Sequence, residues 1–105
     1  MREYKVTITR KPRGKRNFEV GPGYIQKAAD TSNLRRFLIQ RYADTGDVYS
    51  ISVYAYKKKG ALDPVVGHLE INGETGLVLW TPGTFALSNC YLVDRSGKLK
   101  GRLRA

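Results

Sequence analysis

The 105-residue chain has one cysteine, Cys90, and one histidine, His68. A single cysteine forms no internal disulfide. One cysteine and one histidine make no zinc site unless carboxylates complete it, and no CxxC or HxxxH spacing suggests one. A Walker phosphate loop is missing as well: "PRGKRN" has a Gly-Lys pair but neither the earlier glycine nor the following Ser/Thr. No apolar run approaches bilayer length, and the N-terminus passes directly into the alternating "YKVTITR", where a signal peptide would need an apolar stretch. These absences predict a cytoplasmic protein with no transmembrane segment, no metal and no cofactor.

The most informative absence is positional. Residues 60–94 contain no Lys or Arg, although the chain carries 19 of them against 9 Asp+Glu, a net charge of +10. The cations gather toward the two ends. Arg10, Lys11, Arg13, Lys15 and Arg16 surround Pro12 and Gly14, both breakers of regular structure, so 10–16 reads as a mobile basic loop. Lys57, Lys58 and Lys59 follow a strand, and Lys98, Lys100, Arg102 and Arg104 alternate with Leu99, Gly101 and Leu103 at the C-terminus. A period of two puts both leucines on one face of a closing strand, attaching it to the core, and four cations on the other.

Such an excess attracts polyanions over a Debye length of about 8 Å at physiological salt. Nucleic acid is the commonest polyanion in cells; an acidic protein or an anionic membrane surface meets the same physics. Basic loops also keep small proteins soluble, and lysines protect edge strands from pairing. With few acids near the clusters, a polyanion partner is the expectation.

The elements follow from periodicity. "YKVTITR" (4–10) alternates as a strand, and "NFEV" (17–20) can pair back on it before "GPG" stops it. "YIQKAAD" (24–30) is read as a helical turn. "TSNLRRFLIQRYADTG" is the one strong helix, capped by Thr31 or Ser32, with Leu34, Phe37, Leu38 and Tyr42 on the buried face and Arg35, Arg36 and Arg41 projecting elsewhere. "DVYSISVYAYK" (47–57) is the strongest strand. "PVVGHLEI" and "GLVLWT" flank the hairpin signal "NGET", whose Asn-Gly suits a positive φ, and "CYLV" and "KLKGRLR" flank "DRSG". The expected fold is a single α+β domain over 1–105: a twisted or partly closed antiparallel sheet of about five strands, with one main helix packed on it.

Chemistry within this frame is sparse. A Cys90–His68 nucleophilic pair across two strands is conceivable, although a strand cysteine is ordinarily a small hydrophobe. Tyr54 and Tyr56 share a face of the strongest strand and lead into Lys57, Lys58 and Lys59. If that face is open, the rings can stack bases while the cations hold phosphates. Ser50 and Ser52 on the same side favour exposure. The expected function is therefore a non-enzymatic nucleic-acid-binding protein of low sequence specificity, favouring single strands. Its expected contacts are Arg10, Lys11, Arg13, Lys15, Arg16, Tyr54, Tyr56, Lys57, Lys58, Lys59, Lys98, Lys100, Arg102 and Arg104. One alternative is a basic docking subunit that binds an acidic protein or a larger complex, its cation-free 60–94 segment packed on a partner. A third is a metal-independent ribonuclease, in which a base takes the 2′-hydroxyl proton and cations stabilise the phosphorane.

Overall fold

The computed structural model describes residues 1–57, 64–83 and 89–103, so Lys58, Lys59 and Arg104 lie outside the described residues. The element order is β1 (Arg2–Lys11), β2 (Glu19–Val20), β3 (Tyr24–Ala28), α1 (Thr31–Tyr42), β4 (Val48–Ala55), β5 (Val65–Asn72), β6 (Val78–Pro82), β7 (Cys90–Val93) and β8 (Leu99–Leu103). The strands form one antiparallel sheet in the order β2–β1–β4–β5–β6–β7–β8, with β3 also paired to β1. The path is open: no pair among the described residues joins its two ends. The fold is thus α+β with one helix on an antiparallel sheet, but the sheet has eight strands where about five were expected.

Before the helix, β1 and β2 fall on segments read as strands, and β3 is the strand that was not expected. The segment expected as a helical turn is strand β3, running antiparallel to Arg2–Val6. Its alternation is masked because polar Gln26 shares the helix-facing side with Tyr24 and Ala28, while apolar Ile25 points outward and is 44% exposed. Pairing with β1 decides the conformation, a tertiary override of weak local preference.

Alternation elsewhere sends apolar residues to the helix side. Val6, Ile51, Val53, Leu69 and Ile71 meet Leu34, Leu38 and Ile39 of α1, all essentially fully buried. Each such side chain contributes about 1.5–3 kcal/mol of burial free energy. Gly67 sits mid-strand because Trp80 of β6 lies over it: a Cβ there would fall within the indole ring's own space.

The helix differs from expectation in two respects. Its N-cap is Asp30, whose side chain accepts from Asn33 N at 2.8 Å, while Asn33 Oδ1 accepts from Ala29 N at 3.2 Å. This reciprocal pair satisfies two free amides and starts the helix at Thr31. Its buried face is Leu34, Arg35, Leu38 and Ile39, with Phe37 and Tyr42 only half-buried. The Arg35 guanidinium, expected to project away, lies 5.0 Å from the Trp80 ring centroid and donates from Nε to Gly97 O at 2.8 Å. Burial lowers its pKa, partly offset by Asp30.

Both predicted hairpins form. The β5–β6 turn takes its positive φ at Gly76 rather than at Asn-Gly, because Asn72 accepts the Gly76 N–H and closes a longer loop. The β7–β8 turn closes through Gly97 N to Asp94 O at 3.0 Å and presses against α1. Gly97 has φ +88, and a side chain there would meet the backbone of Ser32 and Arg36. Only glycine meets both demands.

Candidate nucleic-acid interface

One sheet face lies under α1 and the other does not. Opposite residues share a face, so the ladders assign each side chain directly. On the face away from α1, Lys5 of β1 lies opposite Tyr54 of β4, with Ile25 of β3 beyond Lys5 and Val65 of β5 beyond Tyr54. Lys5, Ile25 and Val65 are exposed and Tyr54 is half-buried. The ladder continues with Tyr56 N donating to Glu3 O at 3.1 Å, which carries half-buried Tyr56 to the same end of the sheet. Lys27 and Lys11 lie on the same face. Tyr54 lies on the face away from α1 and both tyrosines are half-buried, and the sequence reading omitted their neighbours Lys5, Lys27 and Ile25. Lys5 could have been found: it alternates with Tyr4 and Val6 on the first strand.

Farther along this face runs a polar row. His68 of β5 is bonded to Ser50 Oγ through Nε2 at 2.8 Å and to Ser52 Oγ through Nδ1 at 3.2 Å. Burial lowers its pKa, with a smaller opposing influence from Glu70. Cys90 is buried on β7, with β6 between it and His68, and the two serines occupy the ring nitrogens. The Cys90–His68 pair is not formed. Among the described residues no group of three or more His, Cys, Asp or Glu could hold a metal ion. Likewise, no helix among them is long and apolar enough to cross a membrane.

The basic clusters are dispersed by the strand order. Arg10 and Lys11 belong to β1, not to the loop, while Arg13, Lys15 and Arg16 occupy the exposed link to β2. That link is tied at one point, where Arg13 N donates to Asp47 Oδ1 at 2.7 Å. Arg10 is not without neutralising acids: it approaches Asp47 at 3.6 Å and Glu19 at 3.9 Å. Lys57 follows β4 and is exposed.

The C-terminal stripe lies at the other edge. β8 is five strand spacings from β1, about 24 Å along the sheet, so Lys98, Lys100 and Arg102 do not continue the surface of the 10–16 cluster. Nor do the leucines anchor the strand. A register shift sets Leu99 opposite Val93 and Leu103 opposite Cys90, on different faces, and they remain 42% and 41% exposed. Lys100 pairs with Asp94 at 3.5 Å. Asp94 also accepts from Ser96 Oγ, Ser96 N and Lys98 N. Chiefly through the Ser96 hydroxyl, its carboxyl is pulled down to about 2.

A second concentration of rings and cations went unseen in the sequence because its members are far apart in the chain. Between α1 and the β2–β3 edge lies a cleft of about 380 Å³, walled by Tyr24, Tyr42, Tyr49, Arg10 and Arg41 among others. The Tyr42 and Tyr49 rings are 4.6 Å apart, and the Tyr24 and Tyr42 hydroxyls are 3.4 Å apart. The Arg41 guanidinium lies 5.3 Å from the Tyr24 ring centroid and 5.8 Å from that of Tyr42. Burial, helped by the Tyr24 contact, pushes the Tyr42 hydroxyl up to about 12, so it stays protonated. Spacing offered one clue: Tyr42 follows Leu34 and Leu38 on the helix stripe, yet it lies next to Arg41 at the stripe's end.

Comparison with known proteins adds no relative: no family model, curated protein or solved structure matches the chain.

Proposed function

We propose that the protein binds single-stranded nucleic acid, with little sequence preference, on the sheet face away from α1. The observation that carries this reading is the cross-strand row Ile25–Lys5–Tyr54–Val65, in which a cation stands directly opposite a half-buried aromatic ring on the face away from α1. A base stacks on such a ring for about 1–3 kcal/mol, and a neighbouring ammonium holds the phosphate and releases its counterion. Lys27 and Lys57 extend the positive field at this end of the sheet, while Lys11 lies at the opposite end of β1, paired with Val48; the net charge of +10 favours encounter with any polyanion. The reading takes low specificity from the lack, among the described residues, of a helix pair that could enter a groove.

The docking alternative loses its main support. The cation-free segment supplies β5 and β6, interior strands whose Leu69, Ile71, Val78 and Trp80 are buried within this chain's own core. The test is a salt-dependent titration with single-stranded DNA, single-stranded RNA, duplex and an acidic protein. Tyr54→Ala lowers single-strand affinity several-fold with the salt slope nearly unchanged, because stacking releases no counterions. Equal losses on single strand and duplex, with a lower melting temperature, would make Tyr54 a structural residue instead.

A further inference from the structure

We propose that the cleft between α1 and the β2–β3 edge binds a nucleoside phosphate monoester, as a free nucleotide or as the phosphorylated end of a strand. This site is separate from the sheet face away from α1 and does not depend on it: the cleft opens on the helix side, where Arg10, Tyr24 and Tyr49 point.

Size, charge and shape agree on the ligand. About 380 Å³ lies at the low end of the range for small-molecule sites, room for one nucleotide and not several. Arg10 on the sheet wall and Arg41 on the helix wall supply two guanidiniums, the side chain best matched to phosphate oxygens. Their rotamers are constrained already, Arg41 by the Tyr24 and Tyr42 rings and Arg10 by Asp47, which limits the entropy lost on binding. The Tyr24 and Tyr42 hydroxyls make only a long 3.4 Å contact with each other and keep capacity for a phosphate or ribose oxygen.

Glu19 is the one carboxylate on the wall. Its 3.9 Å approach to Arg10 is long, and both side chains are about half exposed or more, so an incoming phosphate displaces it at small cost. Aromatic contact for the base is provided on both sides of Arg41. A smaller hollow of about 220 Å³ shares Tyr24 and Arg41 with the cleft and adds Phe37 and the Gln26 amide. A phosphate at Arg41 thus has a ring-lined recess adjoining it, with an amide able to pair with a base edge.

The experiment titrates the full chain with adenosine monophosphate, adenosine and inorganic phosphate, following amide shifts by NMR. A 5′-phosphorylated and a 5′-hydroxyl oligonucleotide form the second arm. Adenosine monophosphate is expected to bind at least tenfold more tightly than adenosine or phosphate, shifting Gly21, Tyr24 and Arg41. Arg41→Ala is expected to lose tenfold or more, and Arg10→Gln several-fold, in chains whose spectra show the parental fold. A preference for the phosphorylated oligonucleotide over adenosine monophosphate assigns the site to strand ends; the reverse assigns it to free nucleotides. Equal affinity for phosphate and adenosine monophosphate, no binding, or parental affinity in folded Arg41→Ala would each overturn the proposal. Tyr54→Ala leaves nucleotide binding unchanged, so failure of the sheet-face reading and failure of this one are separable.

Discussion

The two edges of the sheet carry similar positive charge and use it differently. At the β7–β8 edge three cations have partners within the chain: Arg95 with Asp44 at 3.0 Å, Lys100 with Asp94, and helix residue Arg35, lying over the Trp80 ring, with the Gly97 carbonyl. At the β1–β3 edge Lys5, Lys27 and Arg41 lie beside rings or open surface, and among the described residues none of these three has an ion pair. Charge count alone does not identify a binding surface. What separates Arg95, Lys100 and Arg35 from Lys5, Lys27 and Arg41 is that the first three have partners within the chain, where their charge serves stability; Arg10, paired with Asp47 and Glu19, belongs with the first three although it lies at the β1–β3 edge.

If the β7–β8 edge is structural, its turn is where substitution costs most. Gly97→Ala should lower stability by about 3 kcal/mol or more in urea denaturation, since it combines positive-φ strain with a Cβ against the helix backbone. A loss under about 1 kcal/mol would show that the turn can lift from α1 freely. Gly67→Ala, which disturbs the Trp80 platform beneath Arg35, should cost about 1–3 kcal/mol by overpacking. Asp30→Ala removes the helix cap and should cost about 1 kcal/mol, read in the same assay.

The face away from α1 gives a pH signature. The folded-state pKa of His68 is lowered from 6.5, so the unfolded chain binds the additional proton first. Its contribution to stability is present above that ordinary value and is lost as pH falls below it toward the folded value. Unfolding midpoints measured from about pH 8 to about pH 5 should therefore fall more in the parent than in His68→Gln. The smallest effect is expected at the C-terminal stripe. Changing Lys98, Lys100 and Arg102 to Glu alters exposed side chains at the far edge, so strand affinity should change far less than with the same reversal at Lys5, Lys11 and Lys27.

Much of the fold was legible because local signals and tertiary pairing agree. The alternation of 47–57 and the hairpins at "NGET" and "DRSG" reappear, the first with its positive φ moved to Gly76, and Leu34 and Leu38 lie on the buried helix face as read. The failures have physical causes. Gln26 on the inner face hid the period of β3, a buried arginine broke the rule that charge faces water, and a register shift undid the alternation of Leu99 and Leu103. The Tyr24–Tyr42–Arg41 cleft was illegible in principle, since it is made by packing β3 against α1 and no short motif spans it.

The most direct test of the sheet-face reading is the affinity of the parent chain for a single strand at about 150 mM salt, measured beside the paired variant Lys5→Ser/Tyr54→Ala. The account predicts micromolar or tighter binding with a steep salt slope in the parent. It also predicts at least a tenfold loss in the folded variant, greater on single strand than on duplex. Absent binding in the parent, or an unchanged affinity in the variant, would contradict it.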